Sequence, residues 1–145
     1  MLQAESSTER HAFTREFACT GDVGSIAAAR DSILQFLTEH GVTGEQEIDW
    51  MLALQEALAN AVFHGCRDDA GKTIRASVEI TPEEIRIVIC DPGAGFDPSS
   101  SAHSTGEGPN LTEHGRGILL MRSLVDEVSY RKGGSELRMR KKRSR

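Results

Sequence analysis

Residues 50–65 read Trp50-Met-Leu-Ala-Leu-Gln-Glu56-Ala-Leu-Ala-Asn60-Ala-Val-Phe-His64-Gly65. The run is mostly apolar, and Glu56, Asn60 and His64 recur at a spacing of four. On an α-helix, positions i and i+4 share a face, so these three form one polar stripe. Met51, Leu54, Leu58 and Val62 fall on a different side and are expected to pack on a sheet. A helix of this composition is expected to be largely buried. Two polar side chains on it then need partners, because an unpaired buried polar group costs roughly 1–3 kcal/mol.

The flanking sequence supplies the rest of the fold. Residues 1–10 are polar and expected to be disordered, and His11 to Cys19 alternates as a first strand. Asp22 is placed to cap a helix from about Val23 to His40, with Ile26, Ala27, Ile33, Leu34 and Leu37 as its apolar stripe and Gly41 as its stop. Thr43-Gly-Glu-Gln opens the second helix, expected from about Glu45 to His64 and ended by Gly65. Asp68 to Gly71 is a turn signal. Thr73 to Ile80 and Glu84 to Cys90 are expected strands around Thr81-Pro82, and Ile85, Ile87 and Ile89 alternate strictly. Pro92 to His114 is irregular and rich in Ser, Gly, Pro and His. A loop longer than about 12–15 residues in a small domain is usually functional or disordered. Gly115 to Leu124 follows as a short helix, and Glu127–Arg131 with Glu136–Lys141 as a hairpin around Gly133-Gly134. The order β-α-α-β-β-(loop)-α-β-β does not alternate strand and helix. It predicts an α+β two-layer sandwich, with helices on one face of a mixed, mainly antiparallel sheet.

Composition narrows the class. A chain of 145 residues fits one domain, here 11–142, with a basic tail at 143–145. No apolar run approaches the roughly 18 residues that span a bilayer, so no membrane association is expected. Residues 1–9 lack a basic region followed by an apolar core, so no secretory signal is expected and the location is cytoplasmic. Cys19, Cys66 and Cys90 are odd in number and lack CxxC spacing, which suits reduced, structural thiols. The net charge of −5 divides into +7 over the last 15 residues and −12 over the first 130. The basic segment has no interleaved aromatics to stack on bases, so it is taken as a solvated strand rather than a nucleic-acid site.

Three motifs carry chemistry. Glu56 and Asn60 place a carboxylate beside an amide oxygen, which suits a hard cation or a proton acceptor. Taken alone, the pair is better read as two side chains that face solvent or bond each other. Asp91-Pro92-Gly93-Ala94-Gly95 ends an apolar strand. Its glycines allow close backbone approach and positive φ, and Asp91 can accept from an exocyclic amine. An ordinary strand-to-loop turn has the same letters. Gly115-Arg116-Gly117 opens a helix, where free amides favour phosphate. It is neither a GxxxxGK[ST] loop nor GxGxxG after a strand. The combination points to a nucleotide with its metal.

ExxxN on a helix, DxGxG after a strand, a long loop and GxG at a helix start occur here in that order. Together they resemble the ATP-binding domain of the GHKL superfamily, with its Bergerat fold, shared by histidine kinases, Hsp90-type chaperones and DNA gyrase-type ATPases. The likeness covers about residues 12 to 142 and is greatest to the small anti-sigma factor serine kinases of the RsbW and SpoIIAB type. The resemblance implies ATP or ADP and Mg²⁺ as ligands. It implies Asn60 as the metal ligand, Glu56 as the general base, and Asp91 on the adenine amino group. It implies Gly93 and Gly95 around the base, Gly115 and Gly117 at the phosphates with Arg116 between them, and Ser135 near the adenine. His64 closes the polar stripe and is kept as a candidate contact, and 92–114 would hold the ATP lid. Where sporulation-type members carry an arginine before the second glycine box, this chain has Glu113-His114.

The resemblance implies a serine/threonine-protein kinase and anti-sigma factor that phosphorylates a STAS-type anti-anti-sigma factor and binds a sigma factor in the alternative complex. A histidine kinase would need a helical segment bearing a phospho-acceptor histidine, which ten disordered residues are not expected to supply. The alternative is a nucleotide-gated binding module without transfer. A homodimer is left open.

Overall fold

The computed structural model describes residues 12–93, 118–132 and 135–143. Five strands form one sheet: β1 (Phe13–Gly21), β2 (Asp69–Ile80), β3 (Glu84–Cys90), β4 (Glu127–Arg131) and β5 (Glu136–Lys142). Their order is β1-β2-β3-β5-β4. Every neighbouring pair is antiparallel, so the sheet is not mixed among the described strands.

Helices α1 (Ile26–Glu39) and α2 (Glu45–Asn60) and the helical residues 118–124, α3, share one core with the sheet. Ile74, Ala76, Val78 and Ile80 of β2 and Ile85, Ile87 and Ile89 of β3 are all buried. Strict period-two alternation sends these branched side chains to the helix-covered face, where they pack well on a pleated surface. Trp50, Leu54 and Leu58 of α2 meet them with no more than 1% exposure.

Several expectations shift. The first strand starts and ends two residues later than His11 to Cys19, because Thr20 and Gly21 continue the ladder opposite Thr73 and Asp69. Asp22 makes no helix-capping bond. Its carboxylate is taken by the hydroxyls of Thr20 and Ser25, while the Val23 amide donates to Asp68 Oδ1 at 2.8 Å. The first turn, Val23–Ser25, is accordingly a 3₁₀ turn. In α1, Phe36 is buried and Ala27 exposed. The Phe36 ring packs edge-on to Phe17 and beneath the Arg15 guanidinium, filling space against β1 that an alanine cannot. In α2, Met51 sits at the rim, because the buried stripe centres on Ala53, Leu54, Ala57 and Leu58.

Gly41 ends α1 with φ +92, a conformation costly for other residues. Gly65 does not end α2. The chain runs on through a π-helical turn, Ala61–Cys66, and the stop is Arg67 at φ 56, followed by Asp68 at φ 56. The turn expected at Asp68 to Gly71 is therefore confined to Arg67-Asp68, and β2 begins at Asp69.

The basic C-terminal stretch is integrated rather than frayed. Arg138 pairs with Glu136, Arg140 with Glu84 and Glu127, and Lys141 with Asp49. Arg143, expected in the tail, donates to the carbonyls of Thr81 and His40. No helix of the described residues is long and apolar enough to cross a membrane. The expectations for residues 1–10, the lid at 92–114 beyond Gly93, Gly115 to Gly117, Gly133-Gly134 and the last two residues lie outside the described residues.

Candidate functional site

At one end of the sheet, the close of α2 and its π turn face the ends of β3 and β4 and the start of β5. Between them lies a cleft open to solvent. Ala57, Asn60, Ala61, His64 and Gly65 line it from the helix side, and Ile89, Asp91, Tyr130, Ser135 and Leu137 from the sheet side. Two residues of the polar stripe, Asn60 and His64, thus meet Asp91 and Ser135, which follow much later in the chain.

Asp91 is held by its neighbours at both ends. Its amide donates to the Ser135 carbonyl at 3.0 Å, extending the β3–β5 ladder by one bond beyond Cys90 and Glu136. Its Oδ1 accepts from the Gly93 amide at 2.9 Å. Burial pushes the Asp91 carboxyl up, opposed by the Gly93 amide and the Lys72 charge. Ser135 is fixed in turn, its hydroxyl donating to the Lys132 carbonyl at 3.1 Å.

The glycines here serve close contact. A Cβ on Gly65 would lie 2.1 Å from Asp91 Cγ, and a Cβ on Gly93 would lie 2.4 Å from the Gly65 carbonyl oxygen. Gly93 does not adopt the positive φ expected of it. Its missing side chain admits the π turn, so Gly65, Asp91 and Gly93 interlock. This is why Gly65 lies inside a helical turn, where glycine is otherwise unfavourable.

Asn60 is half-buried, and its Nδ2 is fully buried with no hydrogen-bond partner among the described residues. Its amide oxygen is the donor type that hard cations take. Tyr130 sits beside it: burial pushes the phenol up, and the Asn60 side chain works against that push. Glu56, one turn before Asn60, is half-buried and outside the cleft lining. Gly95, Gly115, Arg116 and Gly117 lie outside the described residues.

Sequence reasoning missed Tyr130, Lys72 and the packing role of Gly65. Tyr130 was within reach, because it alternates with the buried Val128 and so faces the helices. Lys72 and Gly65 had no local signal, since each acts on Asp91 across the fold. Chemically, the cleft offers a half-buried carboxyl for an amine, an amide for a cation, and the hydroxyls of Tyr130 and Ser135. Among the described residues no three His, Cys, Asp or Glu converge to cage a metal.

The model of the histidine kinase-like ATPase domain matches residues 19–141 of this chain. An anti-sigma F factor of Clostridium novyi (strain NT) is 29% identical over 119 residues, 79% of this chain and 83% of that protein. The serine-protein kinase RsbW of Staphylococcus aureus (strain JH9) is 33% identical over 109 residues, 70% of this chain and 69% of that one. The crystal structure of the RsbU and RsbW domains of a Mycobacterium tuberculosis protein superposes with a TM-score of 0.63 at 17% identity, over 90% of this chain. This chain spans 31% of that longer one, and the likeness bears on the fold alone.

Proposed function

This chain belongs to the family of histidine kinase-like ATPase domains, and from that membership we propose that it binds ATP with Mg²⁺ and acts as a protein-serine kinase and anti-sigma factor. Its substrate is then a STAS-type anti-anti-sigma factor, and its other partner a sigma factor held in the alternative complex. The names of its relatives, anti-sigma F factor and serine-protein kinase, support this. The observation that carries it is a single cleft that brings Asn60 and His64 of the helix side to Asp91 and Ser135 of the sheet side, with Asp91 interlocked with Gly65 and Gly93.

In this mechanism Asp91 accepts a hydrogen bond from the adenine amino group, and Ser135 stands at its side. Asn60 would hold Mg²⁺ through its amide oxygen, the ligand type that hard cations take. Bound Mg²⁺ supplies charge neutralisation and alignment of the phosphoryl group. Glu56 takes the proton of the incoming serine hydroxyl. Gly95, Gly115, Arg116 and Gly117 belong to the base and phosphate contacts on the strength of the resemblance. Free thiols at Cys19, Cys66 and Cys90 accord with a reducing compartment, so the cytoplasm is its place.

The test is incubation with ATP, Mg²⁺ and the cognate partner, read by intact-mass spectrometry. A phosphate added by the wild type but not by Glu56→Ala, with ATP binding retained in both, is expected. Unchanged transfer by Glu56→Ala removes the base role. A stable complex with no added phosphate replaces the kinase with the second reading, a nucleotide-gated module, which Glu113-His114 favours.

A further inference from the structure

The helices share one core with a single face of the sheet, and the opposite face carries the other half of each strand's alternation. On that open face Arg86, Arg131, Arg138 and Arg140 line a shallow depression, with Val88 and Ser129 as its floor. Register sets their layout. Ser129, Arg138 and Val88 stand in one row across β4, β5 and β3. Arg131 lies one row to one side, opposite Glu136, and Arg86 one row to the other, opposite Arg140. Arg131, Arg138 and Arg86 therefore run diagonally over three neighbouring strands.

Carboxylates of the same face orient these guanidiniums without saturating them. Arg86 and Arg138 donate through Nε alone, to Glu84 and Glu136. Among the described residues their terminal nitrogens, and the whole Arg131 guanidinium, meet no acceptor. An arginine held at Nε presents its outer fork in a fixed direction, and that fork matches a carboxylate. Part of the ordering cost of binding is thus already met. The acids within reach, Glu84, Glu127 and Glu136, are each bound to one of these arginines. Diagonal neighbours on a sheet lie roughly 7–8 Å apart. In an extended chain, side chains two residues apart share a face and stand roughly 6.5–7 Å apart. The two spacings match.

We propose that the open face of the sheet is a docking surface for an acidic polypeptide: an extended segment of a partner protein with Asp or Glu at three alternate positions, one carboxylate on each of Arg131, Arg138 and Arg86. The chain is acidic overall, at −5, so a basic line on it directs an acidic partner to this face. Nucleic acid fits poorly, because no aromatic side chain among the described residues of this face offers a base its ring, and Glu127 borders the line. The surface lies on the side of the sheet away from the helices, so it stands whether or not the cleft takes a nucleotide.

The test is a titration of the isotope-labelled full chain with the peptide Ser-Glu-Ser-Glu-Ser-Glu-Ser at low ionic strength, followed by amide NMR shifts. Saturable shifts are expected around Val88, Ser129 and Arg138, and their absence overturns the proposal. Arg131→Gln and Arg86→Gln are each expected to weaken binding about fivefold, the range of one exposed charge pair. Arg75→Gln, on the same face but off the line, should stay within about twofold. Wild-type affinity in Arg131→Gln, or an equal loss in Arg75→Gln, overturns recognition by the line. A peptide of the same composition with its three glutamates adjacent is expected to bind about fivefold more weakly, and equal binding overturns the alternate spacing. Tighter binding of a single-stranded oligonucleotide than of the peptide gives the face to nucleic acid. A dimer in sedimentation that Arg131→Gln dissociates gives it to a second copy of the chain. Either result overturns the proposal.

Discussion

The two ends of the sheet treat their polar groups in opposite ways. At the end holding the β2–β3 turn, Thr81, Glu84 and Arg143 find their partners within the chain. Thr81 Oγ1 accepts from the amides of Glu83 and Glu84. Glu84 is bound by Arg86 and Arg140, and Arg143 ties the Thr81 carbonyl to the His40 carbonyl at the end of α1. At the cleft end, Asn60 Nδ2 has no hydrogen-bond partner among the described residues, and Asp91 is a half-buried carboxyl. The carboxyls record the contrast. Burial pushes both up, but the Arg86 and Arg140 hydrogen bonds overcome it at Glu84 and hold that group below its usual range. At Asp91 the Gly93 amide and Lys72 do not overcome it. One end closes the fold on itself, and the other gathers polar groups around a cleft.

Substitutions can break or sharpen this contrast. The largest effect on both folding and binding is expected from Gly65→Val at the cleft end. Its Cβ collides with the Asp91 carboxyl, so unfolding free energy falls by about 3 kcal/mol, as overpacking does. Nucleotide binding is expected to disappear in calorimetry, and retained binding would break the interlock of Gly65 with Asp91. Next comes Arg143→Ala at the closed end. Loss of two bonds from a charged donor is expected to cost about 2 kcal/mol in urea unfolding. Nucleotide affinity should not change, and a coupled loss would mean that the two ends are not independent.

Smaller effects separate the two carboxyls by pH. Glu84→Gln is expected to cost about 1 kcal/mol at neutral pH, in the range of partly exposed ion pairs. Glu84 is depressed in the folded state, so its stabilisation is present above the ordinary carboxylate range and fades as pH falls through the folded value. The wild-type advantage should shrink on acidification. Asp91→Asn should change neutral-pH stability least, within about 0.5 kcal/mol. Asp91 is raised in the folded state, so its protonation stabilises fully below the ordinary range, and that gain is lost as pH rises through the raised value. The wild type should therefore gain on the variant as pH falls, the reverse of Glu84→Gln. Thermal unfolding across a pH series checks both signs, and parallel slopes would erase the distinction.

Much of this was legible in the chain, for identifiable reasons. Ile85, Ile87 and Ile89 alternate so strictly that β3 has the expected boundaries. The fourfold spacing of Asn60 and His64 did place both on the cleft side of α2. Errors fall where a residue answers to something distant. Asp22 has the letters of a helix cap, but Asp68, 45 residues away, takes the Val23 amide instead. Gly65 has the letters of a helix stop, but its place is dictated by Asp91 and Gly93. The C-terminal basic residues look like a solvated run until Glu84, Asp49 and the His40 carbonyl arrive beside them.

What the sequence determined by itself was periodic or ordered: the strands, the helices, their α+β succession, and a set of polar motifs in a particular order. Period and order are properties of neighbours along the chain, so local physics expresses them. What only the tertiary structure decided was pairing. It set which strands neighbour which, why Gly65 must lack a side chain, and that Tyr130 stands beside Asn60. Such pairings depend on space filled between residues far apart in sequence. Close packing makes them specific, and no local pattern encodes them.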